Sequence, residues 1–486
     1  MLGETRVLAS LVILLFLAVW GPLFARSFWV DEAGTFWMAH EGPWRAIQKT
    51  SHWPGQSLLY AAIASLFCID AGPLREFLLR VPSLIGLCAA AYYIYRIAER
   101  QIGPRAGLAA AILFLFHPIV MMVGFQARPY ALAIAAVSAS CWALTEWERT
   151  RARTDLAAYM AASILVIYLH YFFAAILAVH FVYVAFAGLV ERRRERLWEW
   201  PLAVAGVLLC ATPLVPHLKL LASERRTLPF LGPPELTDLT DSLAPSMLIA
   251  GLLVAGCVIA GVRLGGADEP APPEKGHGSR AFLVLVASWW LLGPALFTAV
   301  SRVTSMRIFV PRYLAFSFPA QALLLAWLGY RLFGAAGGRM WAFLGVVLFA
   351  ANPLLALRVK TGNEELLPLM RVIRSHPESP VFFPSLLPES LFYDWRAGNR
   401  PDSYLFAPLV AYPVPNPVLP LPVKPSPEAR DYVSSLVDSR LAAARQILFV
   451  SDDEQWEPWL RERMQRGGYR ETTLPIGHFQ ILIYDR

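Results

Sequence analysis

The chain has 486 residues, of which 56% are hydrophobic and 16% are charged, whereas a soluble protein carries about 25% charged residues. The formal net charge is +7, and the basic residues lie in short clusters between apolar runs. This pattern is typical of membrane topology and does not indicate a nucleic-acid partner. The five cysteines lie in apolar stretches without CxxC spacing, so neither disulfides nor a zinc or thiol-redox site is expected.

Apolar runs predict a polytopic, mainly α membrane protein. The first run, residues 7–25, is long enough to span a bilayer and further runs follow, so it is expected to stay as an uncleaved anchor. Residues 57–69 reach only about 20 Å as a helix against a hydrocarbon core of about 30 Å, so we expect an interfacial or re-entrant helix there. The sequence then predicts eleven spans: 7–25, 77–97, 106–123, 129–147, 156–170, 171–190, 199–216, 243–264, 280–300, 312–332 and 339–357.

This count places the basic short loops, including "ERRRER" at 191–196, on the cytoplasmic side, as the positive-inside rule expects. The alanine-rich, arginine-over-lysine composition favours a bacterial source and therefore the cytoplasmic membrane. The outer face would receive a first loop, 26–76, and a tail from about residue 358. It would also receive shorter segments at 125–130, 169–173, 217–242 and 301–311.

Arginines on the outer face oppose the usual charge bias. They indicate an anion at membrane depth, for which a lipid phosphate is the natural candidate. Simple anchoring of span ends to lipid headgroups is the alternative. These residues are Arg128, Arg225, Arg226, Arg302, Arg307 and Arg312.

Beyond residue 358 the pattern predicts a small α/β domain outside the membrane, so the chain divides into a membrane domain, 1–357, and a C-terminal domain, 358–486. Short strands are predicted at 380–385, 445–453 and 478–486, with helices at 427–444 and 454–466. The proline-rich segment 411–427 predicts an extended polyproline-like connection.

Several motifs in order resemble the GT-C membrane glycosyltransferases of glycosyltransferase family 39, which includes protein mannosyltransferases and the lipid A aminoarabinose transferase. The likeness covers roughly residues 5–330, and it depends on the order and spacing of the motifs together. They are "FWVDEAGTFW", "HWPGQSLLY", "LREFLLRVPSLIG", "GPRAGLAAAILFLFHPIVMMVGFQARPYAL", an "HYF" corner and "PRYLAFSFPA".

The resemblance implies an inverting transfer of a sugar from a polyprenyl-phosphate donor to an acceptor at the outer face of the membrane. It places the catalytic base on Asp31, with Glu32 beside it to tune its pKa or to orient the acceptor. A phosphate leaving group departs without protonation if cations neutralise it. The alternative for the two acids is a helix cap with a first-turn acid.

Candidate substrate-binding residues follow from the same motifs. Trp29, Trp37 and Trp53 are candidates for stacking on a sugar, with an ordinary interfacial aromatic belt as the alternative. For His170 and Tyr171 the alternative is a satisfied polar corner. The candidates for binding donor or acceptor are Trp29, His52, Gln126, Arg128, Tyr130, His170, Tyr171, Arg312 and Tyr313.

Gln126 departs from the family pattern, because many relatives carry an acid two residues before the arginine of the "ARPY" corner. The departure puts a second carboxylate or metal ligand in doubt, although the amide can still hydrogen-bond a sugar or phosphate oxygen. No cofactor is required by the sequence. A divalent cation held by Asp31 and Glu32 stays open, as does a non-catalytic scaffold or lipid-handling, flippase-like protein on the same fold.

Overall fold

The computed structural model gives the architecture of most of the chain. Of the predicted spans, 339–357 and most of 7–25 and 243–264 lie outside the described residues, as do the cluster 191–196 and Arg225 and Arg226. The described residues are 17, 19–53, 55–70, 72–189, 198–223, 234–243, 280–304, 306–333, 365–386, 403–422, 424–451 and 455–486.

The fold is mainly helical, and the protein is a multi-pass membrane protein. Within the described residues, five helical segments are long and apolar enough to cross a membrane: Gly72–Gln101, Tyr171–Leu189, Glu199–Ser223, Arg280–Val303 and Pro311–Arg331. Each overlaps a predicted span.

The helices of the first loop and the first membrane segments are α1 (Val30–Ala39), α2 (Pro43–Ser51), α3 (Leu58–Ser65), α4 (Arg75–Gln101), α5 (Pro104–Leu115), α6 (Pro118–Val123), α7 (Tyr130–Thr150) and α8 (Arg153–Leu169). A 3₁₀ turn at Tyr171–Ala175 leads into α9 (Ile176–Leu189), followed by α10 (Glu199–Ala211), α11 (Val215–Ser223), α12 (Leu236–Leu243) and α13 (Arg280–Val303). A second 3₁₀ turn, Pro311–Ser317, leads into α14 (Phe318–Phe333).

Two sequence expectations for this region can be compared with the helices. The eight-residue α3 is about 12 Å long, too short to cross the bilayer, in agreement with the treatment of 57–69 as a non-spanning segment. The prediction of one continuous span over 106–123 is wrong. The helix ends at Leu115, and Pro118 starts a new one after His117, whose imidazole accepts the backbone N–H of Ile119, because proline cannot continue the hydrogen-bond ladder of a helix.

Close packing of α4 on α7 brings the first loop and the 124–129 corner together. A Cβ at Gly86 would lie 2.5 Å from the backbone nitrogen of Leu132, so the helices touch here because residue 86 has no side chain. Ser83, one turn earlier on α4, donates to the backbone oxygen of Gln126 at 2.5 Å. The corner is therefore attached directly to α4.

The C-terminal region forms the expected α/β domain around a five-stranded sheet of order β2-β1-β3-β5-β4. Strand β1 runs parallel to β2 and β3, while β5 is antiparallel to β3 and β4. Its elements are α15 (Leu366–Arg374), β1 (Val381–Pro384), α16 (Ala407–Ala411), β2 (Val418–Leu421), α17 (Pro427–Asp438), β3 (Gln446–Ser451), α18 (Glu457–Arg466), β4 (Arg470–Ile476) and β5 (Phe479–Asp485).

The sequence predicted an extended polyproline-like connection over residues 411–427, but part of this segment forms regular structure. Residues 418–421 form the edge strand β2, with Pro420 opposite Phe383. An edge strand tolerates proline because one side of it makes no ladder hydrogen bonds. Pro427 is the first residue of α17, and the side chain of Ser426 caps that helix.

The residues just before β2 attach this domain to the first loop. Tyr412 accepts a hydrogen bond from the backbone N–H of Phe28 at 2.8 Å and donates to Glu76 at 2.9 Å. Tyr404 is 1% exposed and packs beside Trp37 and Trp53, with ring centroids 5.5 and 4.2 Å away. The C-terminal domain thus covers the helix that carries Asp31.

Candidate active site

Asp31 lies in the first turn of α1, with its side chain 16% exposed. One of its carboxylate oxygens, Oδ2, is 3.3 Å from Nη1 of Arg312 and 3.9 Å from Nη2 of Arg128. Two guanidinium groups from distant parts of the chain therefore converge on a single oxygen. Such a site combines a proton acceptor with two permanent cations.

The backbone places both arginines at the ends of helices. Arg128 lies in the corner between α6 and α7 and is 7% exposed. Arg312 is the second residue of the 3₁₀ turn before α14. The Nε atoms of both are buried and have no hydrogen-bond partner among the described residues, so each retains a donor for an incoming acceptor.

Arg128 keeps its charge despite its burial. Desolvation disfavours the charged guanidinium, but the carboxylate of Asp31 favours it, and the pKa of Arg128 lies above its ordinary value. The site is therefore a place of fixed positive charge.

Glu32, expected beside the base, points elsewhere and is fully buried. Its two oxygens accept hydrogen bonds from Nε and Nη2 of Arg80, at 2.8 and 2.6 Å. They also accept the backbone N–H groups of Ala127 at 2.6 Å and Trp29 at 3.2 Å. These contacts occupy both oxygens and leave no exposed surface, so they do not favour direct contact of Glu32 with an acceptor. An effect of Glu32 on Asp31 stays a prediction. The first-turn capping interpretation holds for Glu32.

These contacts make Glu32 and Arg80 the framework of the site. Glu32 adjoins Asp31 in sequence and bonds Ala127, which adjoins Arg128, so a single carboxylate links the two halves of the site. Arg80 also donates to backbone oxygens at the end of the first apolar segment: those of Leu23, Phe24, Arg26 and Ser27, at 2.5 to 3.4 Å.

Aromatic side chains line the same region. His170 is 5.4 Å from Tyr130 and 5.5 Å from Tyr313, measured between ring centroids, and its Nδ1 is buried without a described partner. The guanidinium of Arg312 is 5.7 Å from the ring of Tyr313 and 5.9 Å from that of Trp29. The structure thus brings Trp29, Tyr130, His170 and Tyr313 together around the two arginines.

Three other candidates have different surroundings. His52 is exposed at the end of α2, where it lines a surface cavity of about 370 Å³ with charged residues of that helix. The hydroxyl of Tyr171 lies 3.2 Å from Nδ1 of His217, which makes it the satisfied polar corner considered above. Gln126 donates to the backbone oxygen of Met122 at 2.9 Å, while its Oε1 is buried without a described partner.

Gln56 and Tyr404 join the site without having been predicted. Oε1 of Gln56 accepts from Nη1 of Arg128 at 2.5 Å, and its Nε2 donates to the hydroxyl of Tyr404 at 2.9 Å. Gln56 lies in the "HWPGQSLLY" motif, so the sequence contained a signal for it. Tyr404, far along the chain, had none.

The described residues do not fit a divalent ion at the two acids. No group of three histidine, cysteine, aspartate or glutamate residues that could hold a metal occurs in the part of the chain that the structure describes. The oxygens of Glu32 are bound to Arg80 and to backbone N–H groups, and Asp31 faces two cations. A third cation would meet repulsion from these two arginines.

Comparison with known proteins agrees with this architecture. The family model described as dolichyl-phosphate-mannose-protein mannosyltransferase matches residues 51–219. None of the curated protein sequences compared matches the chain.

Two solved structures of ArnT from Cupriavidus metallidurans are similar to nearly the whole chain. The apo structure is 12% identical, with 99% of this chain and 98% of that one covered and a TM-score of 0.57. The structure bound to undecaprenyl phosphate is also 12% identical, with 98% and 97% covered and a TM-score of 0.56. At this identity the likeness shows the fold.

The family model supports the resemblance to family 39 over residues 51–219, and the structural likeness shows an ArnT-like GT-C fold. They indicate glycosyltransferase activity in a multi-pass membrane protein.

Proposed function

We propose that this protein is an inverting glycosyltransferase that moves a sugar from a polyprenyl-phosphate donor to an acceptor at the outer face of the cytoplasmic membrane. The main observation in support of the proposal is that Arg128 and Arg312 converge on the carboxylate of Asp31. In this arrangement the active site and the C-terminal domain, residues 358–486, lie on the extracytoplasmic side.

A lipid phosphate suits the two arginines. Guanidinium groups bind phosphate oxygens through paired N–H donors, and each arginine has a buried Nε with no described partner. The matching family model is named for a dolichyl-phosphate sugar, and one ArnT structure holds undecaprenyl phosphate. Both names support a prenyl phosphate as the donor lipid here.

The donor phosphate would also free the base. In the structure the two arginines face Asp31. A phosphate bound between them would replace the carboxylate as their counter-ion. Asp31 then faces the acceptor hydroxyl and accepts its proton as the nucleophilic oxygen attacks.

The chemical step follows from these positions. The acceptor oxygen forms a bond to the anomeric carbon as the bond from that carbon to the phosphate oxygen breaks, and the electron pair leaves with the phosphate. Attack from the face opposite the leaving group inverts the configuration. Arg128 and Arg312 stabilise the negative charge that develops on the phosphate, so no general acid is needed. Trp29, Tyr130, His170 and Tyr313 line the region beside this phosphate.

Incubation of the detergent-purified full chain with a panel of polyprenyl-phosphate sugars and a membrane extract as acceptor tests the proposal. Wild type is expected to consume one donor, while Asp31→Asn, which keeps the shape but not the basicity, loses at least about a hundredfold in turnover. Asp70→Asn is the matched control, because Asp70 is an exposed acid of the same loop.

Equal donor consumption by wild type and Asp31→Asn would remove Asp31 from the reaction. An equal loss in Asp70→Asn would mean that the loop as a whole is sensitive to charge. Binding of prenyl phosphate without consumption of any donor sugar or acceptor in the panel would favour the lipid-handling alternative.

A further inference from the structure

A chain of buried polar contacts connects the C-terminal domain to the candidate active site. Tyr404 accepts a hydrogen bond from Gln56, and Gln56 accepts one from Arg128. The three residues are 1%, 9% and 7% exposed. Tyr404 is 348 residues away from Gln56 in sequence, so this contact forms only when the C-terminal domain docks.

The donor and acceptor chemistry fixes the direction of this chain. An arginine can only donate, so the atom of Gln56 that faces Arg128 must be the amide oxygen. The amide nitrogen then faces Tyr404, whose hydroxyl serves as its acceptor. If the Tyr404 hydroxyl is removed, the amide orientation that points its oxygen toward Arg128 loses one stabilising hydrogen bond.

Arg128 depends on Gln56 for its position. Oε1 of Gln56 is the one hydrogen-bond partner of the Arg128 guanidinium in the described part of the chain. The separation of 3.9 Å from Asp31 is too long for a hydrogen bond. The direction of the guanidinium therefore rests on the amide.

The ring of Tyr404 is packed on several sides and forms the fixed end of the hydrogen-bonded series Tyr404, Gln56 and Arg128. It contacts Trp53 and Trp37 on the first loop, and a Cβ added at Gly34 would lie 3.2 Å from its Cε2 atom. The absence of a side chain at residue 34 thus makes room for this ring on α1. The position of the ring is thus supported by contacts that do not involve Gln56 or Arg128.

We propose that Tyr404 is a positioning residue for Arg128, so that the C-terminal domain completes the phosphate-binding part of the active site. This inference rests on the proposed function, because it assigns Arg128 to the donor phosphate. It gives the C-terminal domain a role in binding the donor lipid.

The test measures binding of undecaprenyl phosphate to the full-length protein in detergent. Tyr404→Phe removes the hydroxyl and keeps the ring, and it is expected to weaken binding about three- to tenfold, the effect of one buried hydrogen bond. Tyr412→Phe is the matched control. Its hydroxyl bonds Phe28 and Glu76 across the same domain contact, without touching Arg128, and the variant is expected to bind within twofold of wild type.

A double variant separates positioning from loss of structure. Gln56→Leu alone should weaken binding, and adding Tyr404→Phe to it should change little, because both act through Arg128. Fully additive effects, equal losses in Tyr404→Phe and Tyr412→Phe, or unchanged binding in Tyr404→Phe would each overturn the inference. Failure of the wild type itself to bind would instead refute the proposed donor, and the inference with it.

Discussion

Replacing Arg80 by leucine tests the framework of the site. Arg80 and Glu32 are both fully buried and joined by two hydrogen bonds of 2.8 and 2.6 Å. Removing one partner of such a pair costs about 3–5 kcal/mol, because the other charge stays buried without compensation. Native proteins are stable by only about 5–15 kcal/mol, so Arg80→Leu should lower the melting temperature in detergent clearly.

Two further variants set the scale. Arg96→Leu removes an arginine of the same helix that is 38% exposed and lies 3.2 Å from Glu99. Arg96 also donates to Tyr92 and lies over the ring of Trp142, and exposed contacts of these kinds contribute about 0–1 kcal/mol each. Glu32→Gln keeps an oxygen for the N–H of Ala127 and leaves Arg80 its backbone acceptors, so its loss should fall between the other two.

The assay is the melting temperature of each detergent-purified variant, followed through tryptophan fluorescence. Equal melting temperatures for Arg80→Leu and Arg96→Leu would refute the reasoning, since they would mean that burial adds nothing to the value of this ion pair. A loss in Glu32→Gln as large as that in Arg80→Leu would show that the backbone contacts of Arg80 contribute little.

Two other variants probe the packing and the limits of the site. Gly86→Ala should hinder insertion or strongly lower the melting temperature, because its Cβ would meet the backbone of Leu132 at 2.5 Å. Gly21→Ala is the control and should be tolerated, since no atom of the described residues lies within 4 Å of its Cβ. Tyr171→Phe should leave donor turnover within about twofold, since its hydroxyl bonds His217 and lies outside the site; a large loss in turnover would return Tyr171 to the site.

The sequence was informative where a residue type is rare at its predicted location, as arginine is on the outer face of a membrane. Arg128 and Arg312 were predicted to share an anion because both oppose the charge bias of their face, and the structure brings them to Asp31 across 97 and 281 residues of sequence. Their roles in binding and catalysis stay predictions. Hydropathy located the five described segments that are long and apolar enough to cross a membrane, because a bilayer demands long apolar segments.

Other parts depended on contacts that no local pattern records. Adjacent acids look equivalent in sequence, yet helix geometry turns Glu32 toward Arg80 and Asp31 toward the cations. The partner of Glu32 could be identified only once α1 was placed against α4. Tyr404 was missed because its segment carries neither unusual charge nor a motif, and only the docking of two domains gives it a partner.

The contact between Gly34 and the ring of Tyr404 joins two segments that are synthesised far apart in time. A ribosome completes Arg128 276 residues before Tyr404, which at about 5–20 residues per second takes about 14–55 s. Under the positioning proposal, the nascent chain spends that interval in the bilayer with Asp31 in place but Arg128 not yet oriented. Lipid carriers that meet the unfinished chain would find a weak binding site, and synthesis of the segment that contains Tyr404 would complete it.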